Sequence, residues 1–142
     1  MPVAAQILAV LAALIHVFFF YLESIAWSKP STWKTFGLKS QDEAEVTKAL
    51  ALNQGFYNLF LAIGVIAGVI LVGAGPTPGD NGLYYGGGIL SGDAGYGAAV
   101  FGLACMLGAA AVLLISSKGK MARGSAIQGL LPLAALLVIA FA

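Results

Sequence analysis

AEVTKALALNQGFYNLFLAIGVIAGVILV, residues 44–72, decides the fold. Beyond Lys48 it carries no charged residue as far as Val72. A helix that crosses a bilayer needs about 20 predominantly apolar residues, so this stretch reads as the longest of a set of membrane spans. Working outward, residues 3–25 form a second such run, interrupted only by Gln6, His16 and Glu23. Residues 96–116 form a third, and residues 125–142 a short fourth that contains Pro132. The expected fold is therefore all-α: one four-helix transmembrane bundle over residues 1–142.

Composition agrees. Of 142 residues, 60% are hydrophobic and 9% charged, with seven Lys+Arg against six Asp+Glu and a formal net charge of +1. Soluble domains carry about 25% charged residues, so too few charges remain here to cover a water-facing surface. A soluble globular domain, a disordered chain and a nucleic-acid binder with a basic face are all excluded. The partner implied is a lipid bilayer. Cys105 is the single cysteine, which excludes a disulfide within the chain. No Lys or Arg precedes the first apolar run, and that run is too long for a signal-peptide core, so it reads as a retained helix.

The connections set the orientation. Residues 28–40 are polar, with Lys29, Lys34 and Lys39 between Trp27, Trp33 and the next span. Ser40 followed by Glu43 has the spacing of a capping box and starts the second helix ahead of its apolar part. Residues 73–95 hold nine glycines, two prolines and the turn signals Gly79-Asp80-Asn81-Gly82 and Gly92-Asp93, which read as a loop. Residues 117–124 form a basic turn with Lys118, Lys120 and Arg123. Every basic residue, Lys48 included, thus falls in or beside the first and third loops, and none in the second. By the positive-inside rule those loops face the cytoplasm of a bacterial inner membrane and both termini face outward. Trp27 and Trp33 then belong to the inner interfacial belt, and Tyr84, Tyr85 and Tyr96 to the outer one.

Polar residues within spans cost energy in lipid and mark candidate sites. His16 and Glu23 are seven residues apart, on one stripe of the first helix. Asn53, Gln54 and Asn58 lie in the second span and Gln128 in the fourth. At about 1.5 Å per residue, antiparallel spans place Glu23 level with Asn53 or Gln54 and with Gln128. A deeper layer then holds His16 and Asn58. Each of these residues also has a bland role. The amides and the histidine suit hydrogen bonds between packed helices, and Glu23 is placed to snorkel outward or to pair with Lys48 or Arg123. The convergence of three helices at matching depths is what favours a site for a small-molecule ligand, a cation or a proton. His16, whose ordinary pKa is near neutrality, and Glu23 are its expected proton-handling groups.

Other signals are weaker. Gly64 with Gly68 forms a small-xxx-small pair, matched in the third span by Ala98 with Gly102 and Ala104 with Gly108. These positions suit close helix packing within the bundle, and a bundle this small is also suited to homo-oligomerise. His16 and Glu23 lack a third metal ligand in reach, so no metal or other cofactor is expected. No catalytic motif is present, and no catalytic residue is assigned.

The segment HVFFFYLESIAWSKPSTWKTFGL, residues 16–38, followed by ALNQGFYNLFLAIG, residues 51–64, resembles a family of small bacterial integral membrane proteins grouped as a domain of unknown function. The resemblance rests on an H-x6-E first helix (His16, Glu23) with a trailing Trp27. It continues in the K-x-F-G-L loop from Lys34 to Leu38, the N-Q-G-x-Y-N run from Asn53 to Asn58, and Gln128-Gly129 in the last helix. It implies the same polar set and no settled activity, and the glycine-rich stretch 73–95 departs from it. A fainter similarity to the membrane-bound glutathione-using four-helix enzymes lacks their buried arginines, since Arg123 is the only arginine. Three functions follow: a small transporter or ligand-binding protein, a structural or assembly subunit whose polar layer only locks helices, and, least supported, a membrane enzyme.

Overall fold

The computed structural model describes residues 1–73, 77–78, 84–85 and 92–142. Helix α1 spans Val3–Phe20 and runs on as a π-helical turn, Tyr21–Ile25. A short helix α2 (Pro30–Thr35) precedes α3 (Gln41–Val72), α4 (Gly92–Ser116) and α5 (Ala122–Phe141). Two two-residue strands, β1 (Thr77–Pro78) and β2 (Tyr84–Tyr85), pair antiparallel. Four helical segments, Val3–Ile25, Gln41–Val72, Asp93–Ser116 and Ala122–Phe141, are long and apolar enough to cross a membrane. The architecture is that of a multi-pass, all-α membrane protein.

The four long helices alternate in direction and form a closed ring. Helix α1 packs on α3, α3 on α4, α4 on α5, and α5 back on α1. All seven basic residues consequently lie at one end, and Met1 and Ala142 at the other.

The interior is built from small residues at sevenfold spacing. Buried positions run Ala5, Ala12 and Ala9, His16 in α1; Ala44, Ala51, Asn58, Val65 in α3; Ala99, Met106 and Leu103, Ala110 in α4; and Ser125, Pro132 and Gln128, Ala135 in α5. A strict seven-residue repeat keeps one seam of each helix against its neighbours. Large apolar side chains such as Leu11, Phe18, Phe60, Ile70, Phe101 and Leu130 point outward. That arrangement suits lipid, where close backbone packing rather than water exclusion draws helices together.

The helix-packing glycines divide along this seam. A Cβ on Gly68 would lie 2.6 Å from the Ala99 nitrogen and 2.7 Å from the Gly95 carbonyl, and one on Gly102 would strike a Val65 methyl. Gly64 and Gly108 meet nothing within 4 Å, because both sit off the seam, so the expectation that they pack between helices is corrected. The contacts that the spacing rule missed are Gly55, Gly95 and Gly129.

Element ends differ from expectation in three places. Residues 28–40 are not a plain loop: Pro30, whose fixed φ suits the first helical position, opens α2. Gly92 and Asp93 are not a turn but the first residues of α4, where an acidic side chain favours the helix start. The signal Gly79-Asp80-Asn81-Gly82 lies outside the described residues. The capping box at α3 is present, in altered form: Glu43 N–H donates to Ser40 Oγ at 3.2 Å, while the Glu43 carboxylate accepts from Lys39 N–H at 2.7 Å. We expect Ser40→Ala to lower stability by about 1 kcal/mol, read as a small drop in the unfolding midpoint in detergent. No change would mean that the Glu43 contact to Lys39 alone holds the start of α3.

Candidate functional site

The π-helical turn carries the only carboxylate buried in the described residues. Within it the Ala26 N–H donates to the Tyr21 carbonyl at 2.9 Å, five residues back. Single π turns inside α-helices are rare and recur at functional sites. Glu23 is 8% exposed and its Oε2 accepts a hydrogen bond from Asn58 Nδ2 at 2.7 Å; Asn58 is 6% exposed. Among the described residues no Lys or Arg pairs with Glu23, and the only ion pair joins Lys48 to Glu45 at 3.5 Å. Glu23 therefore neither snorkels outward nor pairs with Lys48 or Arg123.

This pairing corrects the depth assignment. Chain spacing alone puts Glu23 beside Asn53 or Gln54, and Asn58 beside His16. Side chains tilt toward the N-terminus of their own helix. Because α1 and α3 are antiparallel, Glu23 leans into the bundle while Asn58 leans back toward the basic end, and the two meet between their backbone levels. Gly55 makes this approach possible, since a Cβ there would collide with Ser24 Oγ and lie 3.1 Å from the Glu23 Cβ. Ser24, unremarked in the sequence, ties the same level by donating to the Leu52 carbonyl at 3.1 Å.

Asn53 and Gln54 are exposed and do not join the cluster. They fall between the seam positions Ala51 and Asn58, so their side chains leave on the outer face of α3, although they are level with Ser24.

His16 is fully buried two turns further in. Its Nδ1 lies 2.9 Å from the Ala12 carbonyl, which can only accept, so Nδ1 carries a proton. Its Nε2 is the one fully buried side-chain nitrogen or oxygen without a hydrogen-bond partner among the described residues. Gln128 is buried on the α5 seam beside Gly129, where a Cβ would lie 2.8 Å from the Ala110 Cβ. No hydrogen bond joins Gln128 to Glu23, Asn58 or His16 among the described residues. Ser125, which the sequence did not flag, donates to the Ala110 carbonyl at 2.7 Å and fixes α5 on α4.

Toward the basic end the cluster meets aromatic rings. Trp27 and Trp33 are both buried. Trp27 Nε1 donates to the Ala44 carbonyl at 2.9 Å and Trp33 Nε1 to Gln41 Oε1 at 3.0 Å. Phe36 lies with its ring centroid 6.5 Å from Phe19 and 5.2 Å from Trp27, and Phe19 lies 6.3 Å from His16. Among the described residues no three of His, Cys, Asp and Glu gather as metal ligands.

A family profile described as a protein of unknown function, DUF1304, matches residues 10–140. The chain belongs to that family. No curated protein and no solved structure matches the chain. In this DUF1304 member the matched residues contain His16, Glu23, Asn58 and Gln128, together with Trp27, Trp33 and Phe36.

Proposed function

We propose that this DUF1304 protein is a small transporter or ligand-binding protein of the bacterial inner membrane that takes up a proton or a small cation at Glu23. The observation that carries this reading is a buried carboxylate whose one hydrogen-bond partner among the described residues is the neutral amide of Asn58. An ionised carboxylate removed from water without a counter-charge is unfavourable by several kcal/mol. Binding H⁺ or a cation removes that cost. His16 Nε2, buried without a hydrogen-bond partner among the described residues, is a second candidate proton acceptor on the same stripe, and Gln128 is buried on the α5 seam. The gathering of every basic residue at one end supports placing that end in the cytoplasm with both termini outside.

Purified protein in nanodiscs tests this. Difference infrared spectra between acid and alkaline buffer, with and without Na⁺, are expected to contain the carbonyl stretch of a protonated carboxyl that disappears or shifts. The band should be absent in Glu23→Gln and retained in Glu45→Gln, whose carboxylate is exposed. An identical response in wild type and Glu23→Gln overturns the proposal.

A second reading has its own support. The Glu23–Asn58 bond ties α1 to α3 at a level where backbones already touch, as expected of an assembly subunit whose polar layer only locks helices. On that reading Glu23→Gln leaves every pH and cation response unchanged, and the protein co-purifies with a larger complex.

A further inference from the structure

We propose that residues 28–36 form a lid over Glu23, with the Phe36 ring as its closing element and Gly37 as its hinge. The inference concerns access to the site described above and rests on that reading for its biological purpose, although its geometry stands apart from it.

Phe19, Glu23 and Trp27 follow one another at intervals of four residues and so share one side of α1 and its π turn. Phe36 contacts the first and the last of the three, edge-on to Phe19 at 6.5 Å and tilted on Trp27 at 5.2 Å. A ring that bridges these two lies across the position between them, which is Glu23. The segment that delivers Phe36 is attached lightly. Helix α2 makes little close backbone approach to any of the long helices. Its hold consists of buried Thr32 and Trp33, the indole bond from Trp33 to Gln41 and the seat of Phe36 on Trp27. Segments with few packing contacts open at a fraction of the global unfolding free energy. Gly37, immediately after the ring, has φ of +82°, a conformation that L side chains rarely adopt and glycine takes freely. A change of conformation there swings Phe36 without disturbing α3, whose start is fixed separately by Ser40 and Glu43.

Such a lid explains how a closed cluster exchanges a proton or cation with water. The broader surface hollows, lined by Leu38, Asp42, Glu43, Val46 and Thr47 and by Val3, Gln6, Ile7, Val10, Leu11 and Val69, do not include Glu23 or Asn58.

The test uses a water-soluble carbodiimide on the full-length protein in nanodiscs, with adducts on each carboxyl quantified by peptide mass spectrometry. Asp42, Glu43 and Glu45 are exposed and serve as internal standards. Relative to them, Glu23 is expected to label at least fivefold faster in Phe36→Ala than in wild type, and several-fold faster in Trp33→Phe, which keeps a ring but loses the bond to Gln41. The two tryptophans of the chain both lie in or beside the lid, so their emission should shift to longer wavelength in Phe36→Ala. Equal labelling of Glu23 in wild type and Trp33→Phe, with unchanged far-ultraviolet circular dichroism, overturns the lid even if Phe36→Ala fails to fold. Faster labelling in these variants, together with a Glu23→Gln protein that keeps every pH and cation response, would retain the lid and reject the proton or cation function.

Discussion

Gly68→Val is expected to prevent the bundle from closing, whereas Gly64→Val, one helical turn earlier, is expected to be almost silent. At Gly68 a Cβ alone would sit 2.6 Å and 2.7 Å from backbone atoms of Ala99 and Gly95, and backbone cannot turn aside as a flexible side chain does. Either α3 and α4 separate along several turns or the new side chain is not accommodated. Overpacking a well-fitted interior typically costs about 1–3 kcal/mol. With two backbone clashes and a branched side chain, we expect the upper end of that range or complete loss of the folded species. At Gly64 nothing lies within 4 Å, and a valine there meets lipid. Unfolding midpoints in mild detergent, measured side by side, check the contrast. Equal midpoints for the two variants would show that α3 and α4 do not pack along Gly68, Gly95 and Ala99.

Asn58→Leu should be the most damaging substitution in the polar cluster, and adding Glu23→Leu to it should restore most of what was lost. Removing the amide leaves a buried carboxyl without its donor. Hydrogen bonds to charged groups contribute about 1.5–3 kcal/mol, and leaving one partner buried and unsatisfied costs its full desolvation, whereas replacing both partners by apolar groups is close to neutral. We therefore expect a loss of about 2–3 kcal/mol for the single variant and a double variant nearer to wild type, a compensating coupling in a double-mutant cycle. Additive losses would show that the two side chains do not interact. The cycle reports only on packing, and the infrared comparison with Glu23→Gln separates a structural lock from a proton or cation site.

The polar residues were all visible in the sequence, yet sequence spacing sorted them incompletely. His16 and Glu23 were placed on one stripe by their sevenfold separation, and they are both buried. The same interval, continued through Ala44, Ala51, Asn58 and Val65, places Asn58 inside and Asn53 and Gln54 outside. That signal was present in the alanines, but small residues look uninformative until a neighbouring helix shows which face they serve. Depth arithmetic erred for a different reason. It compared Cα levels, whereas Glu23 and Asn58 meet through side chains that tilt toward each other from antiparallel helices. The burial of Trp27 and Trp33 was equally hidden, since a tryptophan near a membrane boundary suits an interfacial belt as well as the underside of a bundle.

What the sequence determined by itself was the solvent, the number of spans and the shared end of every basic residue. Each of these depends only on the length of apolar runs and the position of charges along the chain, because burying charge in lipid or leaving a backbone unpaired there is prohibitive. Only the tertiary structure decided which polar atoms meet, which glycines touch and that Glu23 sits in a π turn with Phe36 packed on Phe19 and Trp27. Those outcomes turn on differences of a few ångströms between packed helices. They are fixed by the fit of one seam against the next, which no single segment contains.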